Sequence, residues 1–259
     1  MTGNILRQAP TAIAVLLYFV IAAVLPVVPD TMAADLDPAI QKITSYTFGA
    51  SREPLSAVED LVRSSYGKSA ERLRLEKQFA TVLTSDTTVE CKEFICRQLY
   101  VIGTKESVPA LGKLLLDEKT SDMARYALQQ NTCPEAGKAL RDGLKKVKGG
   151  VLVGIINSLG ERGDQECVDE LARFISDFAA LHPDENKEKD DEEAKKAMHE
   201  ARDAAIASIN ALAKIGGDKA VRTIAKARHI GCPGVQKAAA DALLLWGDNL
   251  VGSSERVKK

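Results

Sequence analysis

One helical unit recurs along this chain, and that recurrence constrains its fold more than any other feature. The segments LYVIG, ALQQN, INSLG, LAKIG and LLLWG end at Gly103, Asn131, Gly160, Gly216 and Gly247. These anchors lie 28, 29, 56 and 31 residues apart, so one interval is nearly double. Gly or Asn at such a position is what a helix C-terminus in the left-handed conformation prefers. After each anchor a polar loop leads to apolar residues at three- and four-residue spacing. The stripes are Val108, Leu111, Leu115; Ala136, Leu140, Leu144; Val168, Leu171, Ile175; and Val221, Ile224, Ala227. That spacing predicts amphipathic helices. The unit is therefore an antiparallel helix pair, which cannot bury its apolar face alone but shares a core with stacked neighbours.

The residues Arg97-Gln98-Leu99, Ile102-Gly103, Val108-Pro109-Ala110-Leu111, Leu114-Leu115 and Ala124-Arg125-Tyr126-Ala127-Leu128 carry a resemblance. They are similar to HEAT repeats in their short, HEAT-like form, as found in exported bacterial proteins. The resemblance covers residues 88–247 and implies an all-α fold, a right-handed α-α superhelix (solenoid) of about five or six helix pairs. Asn131 departs from the pattern, with Gln129-Gln130 before it where apolar residues are usual. Residues 35–87 read as a helical cap or degenerate repeat, with PLSAVEDLV and AERLRLEKQFATVL as helices.

The long interval has a cause in the charged insertion at 182–200. Glu185/Lys189, Asp191/Lys195 and Glu192/Lys196 are acid-before-base pairs that support a solvated helix. They predict a long helix running on to Ile215 with its first half projecting into water. Residues 248–259 read as a polar tail.

Residues 1–34 follow the order of a secretory signal peptide: a polar start with Arg7, an apolar run at 12–28, then small residues up to Ala34. Cleavage near Ala34 is the expectation; a retained segment would anchor the protein to the inner membrane. Either way the folded part is expected outside the cytoplasm, periplasmic or extracellular. The net charge of −1 gives no basic footprint for nucleic acid.

Five cysteines, Cys91, Cys96, Cys133, Cys167 and Cys232, leave at least one unpaired within the chain. Cys91 and Cys96 would point about 140° apart on one helix, so they could bridge only if Cys91 precedes it. Cys133 and Cys167 are the candidate disulfide, if they lie at one edge of successive repeats; buried free thiols are the alternative. There is no CxxC, and His182, His199 and His229 are scattered, so neither a metal nor a cofactor is expected.

Arg97 and Arg125 each precede their anchor by six residues, and stacked equivalents stand about 10 Å apart. Two guanidinium groups there suit a carboxylate or phosphate. The resemblance implies a structural alternative, an inter-repeat arginine–aspartate ladder, with Asp122 beside Arg125. Gly149-Gly150 and Gly216-Gly217 lack a phosphate-loop context and read as helix ends. No catalytic set assembles. Trp246, in ALLLWG, either packs back on the preceding pair or meets a partner at the end of the array.

The expected function is an exported scaffold or protein-interaction module that uses the face near Arg97, Arg125 and Asn157. Two alternatives stand beside it. Such repeats resemble those of bilin-attaching lyases, which implies an enzyme or cofactor handler using Cys91 or Cys96. The other is a structural protein that associates with itself through its Trp246 end.

Overall fold

Local capping sets where the helices begin. The Asp37 carboxylate accepts from the Ala39 amide ahead of a helix with Pro38 in its first turn, and the Thr88 hydroxyl accepts from the Cys91 amide. Such side-chain acceptors satisfy the amides that a helix start leaves unpaired. Pro109 and Pro134 open two later helices, where the missing N–H costs nothing.

A computed structural model describes residues 36–181 and 192–256, with side chains described as far as residue 246. Among the described residues there are twelve α-helices: α1 Pro38–Ile43, α2 Glu53–Ser64, α3 Ser69–Leu83, α4 Val89–Ile102, α5 Val108–Leu114, α6 Ser121–Gln130, α7 Pro134–Gly143, α8 Gly149–Arg162, α9 Val168–Leu181, α10 Glu192–Ile215, α11 Asp218–Ala227 and α12 Pro233–Arg256. A 3-10 turn, Gln165–Cys167, leads into α9. All of them belong to one unit, Asp37–Lys259. The apolar run at 12–28 lies outside the described residues. No described helix is long and apolar enough to cross a membrane.

Each odd-numbered helix packs on the even-numbered helix that follows it, from α1 on α2 to α11 on α12. The even-numbered helices also pack on one another in chain order, α2 to α4, α6, α8, α10 and α12. On the other side α3, α5 and α7 pack in sequence, as do α9 and α11. The core lies between these two rows and joins the predicted stripes to apolar residues of the even-numbered helices, among them Leu99, Leu128, Ile155 and Leu212. Leu111, Leu115, Leu140 and Leu171 are fully buried. The last stripe is shifted by one residue: Val221 is exposed, and Ala220 joins Ile224 and Ala227 inside.

The anchors are not uniform helix stops. Gly103 and Asn131 end their helices in extended rather than left-handed conformation. Gly160 lies inside α8, whose left-handed cap is Gly163. A Cβ on Gly160 would stand 2.7 Å from the Ala211 Cα, so this glycine lets α8 and α10 pack backbone to backbone. Gly216 does end α10 with positive φ, whereas α12 runs through Gly247.

Gly160 faces Ala211, and Gly149 faces Glu200, both 51 residues on, so α8 and α10 run parallel in constant register. In that register residues 192–199 of α10 reach beyond the start of α8, by about 12 Å at the helical rise. Their side chains are mostly exposed, and Lys195 pairs with Glu192 at 2.9 Å. The preceding part of the predicted helix, with Glu185 and Lys189, lies outside the described residues.

Candidate interaction face

Counted back from the true helix ends, the sixth residues before the caps of α4, α6, α8 and α10 are Arg97, Arg125, Asn157 and Asn210. The structure therefore puts Asn157 in register with both arginines, while Gly154 takes another role. A Cβ on Gly154 would lie 3.0 Å from Arg125 Nε, so the missing side chain makes room for the guanidinium.

Neither arginine forms a rung between helices. Arg97 pairs with Glu93 one turn earlier on α4, and Arg125 Nε donates to Asp122 Oδ1 at 2.8 Å on α6. The inter-repeat ladder implied by the resemblance is thus replaced here by pairs within single helices. Arg97 stays 58% exposed and Arg125 29%. Beside them Tyr100 and Tyr126 stack across α4 and α6, centroids 4.5 Å apart and rings inclined by 14°. Both rings remain partly exposed, at 38% and 47%.

Next to the stack is an open groove of ≈ 410 Å³ between α4 and α6, lined by Glu93, Cys96, Arg97, Lys119, Asp122, Met123 and Tyr126. A second groove of ≈ 460 Å³ runs between α8 and α10, and Asn157, Asn210, Glu200 and Asp203 are among its lining residues. The sequence-predicted residues therefore share one row of helices, but Arg97 and Asn157 border two separate grooves and Arg125 lines neither of them. Trp246 sits on α12 and donates its indole N–H to the Ala213 carbonyl of α10 at 3.0 Å.

A set of cross-helix polar bonds lies instead near the C-terminal ends of the even-numbered helices. Glu76 of α3, fully buried, accepts from the Thr104 amide (2.6 Å), the Thr104 hydroxyl (2.9 Å) and the Ser107 amide (3.0 Å). Asn131 Nδ2 donates to the Thr104 carbonyl at 2.8 Å, and its Oδ1 accepts from the Cys133 amide at 3.0 Å. Arg162 donates to the carbonyls of Leu128 (2.7 Å), Gln129 (3.1 Å), Asn131 and Cys133 (3.4 Å). Gln165 Nε2 reaches the Ile215 carbonyl at 2.9 Å. Helix ends leave carbonyls and amides without intrahelical partners; Asn131, Arg162 and Gln165 supply donors to carbonyls there, and Glu76 supplies an acceptor to amides. Asn131, which reads in the sequence as a departure from the repeat, is a working member of this set.

All five cysteines are free, so Cys133 and Cys167 are not bonded to each other. Their loops are joined by other means: Arg162 holds the Cys133 carbonyl, Arg141 pairs with Asp164, and Cys167 Sγ donates to the Asp164 carbonyl at 3.1 Å. Burial pushes the Cys91 thiol up to about 11 and the thiols of Cys96 and Cys167 up to about 12. Burial likewise raises Cys133 and lowers Arg162, with nearby Asp164 opposing the change in the arginine. Among the described residues no group of three or more His, Cys, Asp or Glu side chains is placed to hold a metal ion. In comparison with known proteins, the chain matches no family and has no significant similarity to a curated protein.

Proposed function

We propose that this chain is an exported HEAT-like α-solenoid of six stacked helix pairs. In this reading it serves as a protein-interaction scaffold of the periplasm or cell envelope, and its partner docks on the row of even-numbered helices. The signal-like N-terminal sequence supports export, and the packing of alternate helices in chain order supports stacked pairs. One observation carries the functional part: Arg97, Tyr100, Met123 and Tyr126 gather on the exposed side of α4 and α6. Tyrosine, arginine and methionine are the side chains enriched at the centres of protein interfaces. Thiolate chemistry fits less well, because Cys91 and Cys96 are buried thiols with raised pKa values, and a thiolate is the nucleophile.

The test is capture from the native envelope with the tagged full chain, followed by Arg97→Glu and Tyr126→Glu. Both side chains are exposed enough for the fold to survive. A partner retained by the wild type and lost from both variants is the expected result. A partner held equally by all three proteins, or none at all, would overturn the reading.

A further inference from the structure

We infer that the groove between α4 and α6 binds a protein segment in which an apolar side chain is followed directly by a carboxylate. This inference rests on the interaction reading above and names the chemistry of the partner. The floor supplies the apolar half. Met123 is half-buried and the Tyr126 ring, stacked on Tyr100, is partly exposed, so both offer apolar surface to the groove above the fully buried Cys96.

The charged half follows from which groups are already engaged. Glu93 is held by Arg97 and Asp122 by Arg125, so both acids of the groove have partners. Lys119 is exposed, lines the groove, and makes no ion pair among the described residues. Asp117 and Glu118 precede it in the loop, but neither lines the groove, and Asp117 Oδ1 accepts from the Lys119 amide at 2.8 Å. The first turn of α6 carries Asp122, which Arg125 holds, so Lys119 is the lining charge without an ion pair among the described residues. The unmatched charge of the groove is therefore positive and sits beside an apolar floor. A free phosphate would leave that floor unused, and a basic segment would meet Lys119 and Arg97 unfavourably.

The experiment uses the full chain and three labelled peptides read by fluorescence anisotropy. One carries Phe between two Glu, one Phe between two Lys, and one Ala between two Glu. The Glu-Phe-Glu peptide is expected to bind at least about tenfold tighter than either of the others, and to weaken as salt is added. Lys119→Glu should reverse the order of the two Phe peptides. That variant changes an exposed, unpaired side chain, so loss of folding does not confuse the result. Equal binding of acidic and basic peptides overturns the inference, as does a preference that Lys119→Glu leaves unmoved. No binding up to about 1 mM does the same. If peptides fail while Tyr126→Glu still releases the captured partner, only this inference falls. If both fail, the interaction reading falls with it.

Discussion

Two polar regions border the row of even-numbered helices, one on its exposed side and one at its C-terminal ends, and they are built in opposite ways. On the exposed side Arg97 and Arg125 are satisfied locally, each by an acid within one turn of its own helix. At the helix ends Glu76, Asn131, Arg162 and Gln165 reach 27 to 50 residues along the chain to groups on neighbouring pairs. A pair within one helix asks nothing of its neighbours and leaves the face available. A side chain that caps a neighbouring helix ties two pairs together and is no longer free to bind anything else. The buried, long-range region should therefore carry stability, and the exposed, local one should carry recognition.

The strongest test of that division is Arg162→Ala. It removes the donor shared by the carbonyls of Leu128, Gln129, Asn131 and Cys133. Stripping a charged donor from part-buried acceptors should destabilise the fold by about 3 kcal/mol. Urea unfolding followed by far-UV circular dichroism would measure it. A loss within experimental error would mean that water replaces the guanidinium, and the contrast between the two regions would fail.

The next effect is steric. Gly160→Ala would place a Cβ 2.8 Å from that of Ala211 and 2.7 Å from its Cα, forcing α8 away from α10. Overpacking of this kind should cost about 2 kcal/mol in the same unfolding experiment. A Cβ on Gly150 would meet nothing within 4 Å, so Gly150→Ala should stay within about 0.5 kcal/mol. Equal costs at the two sites would show that the close approach of α8 and α10 is not what requires Gly160.

These two residues also mark how far the sequence could be read. The apolar stripes at Val108–Leu115, Ala136–Leu144 and Val168–Ile175 were legible because burial imposes a period, and a period shows in one sequence. Asn157 belonged to the right row, although the anchor at Gly160 hid its register. The true cap, Gly163, restores it. The cross-helix bonds were not legible. Each junction ties neighbouring pairs together with a different side chain: a carboxylate that accepts from amides at Glu76, and donors to carbonyls elsewhere, amides at Asn131 and Gln165, a guanidinium at Arg162, an indole at Trp246. A shared task met by unlike residues leaves no repeating letter. Arg97 and Arg125 do repeat, but the arginine–aspartate ladder that the resemblance implied is not built: each pairs within its own helix.

The smallest effect decides most about the exposed face. Arg97 is 58% exposed and its partner Glu93 lies four residues away on the same helix. Solvent screening and the entropy of two long side chains leave such a pair worth about 0.5 kcal/mol or less. Arg97→Ala should therefore barely move the urea midpoint, and a double-mutant cycle with Glu93→Ala should give a coupling of the same size. Arg125→Ala should cost somewhat more, about 1 kcal/mol, because its stem packs over Gly154 and truncation leaves a gap there. If Arg97→Ala instead cost about as much as Arg162→Ala, Arg97 would be holding the fold. A residue needed for the fold could not be tested as a contact with a partner, and the docking surface would have to be sought without it. A near-zero cost combined with loss of the captured partner is the one outcome that assigns Arg97 to recognition alone.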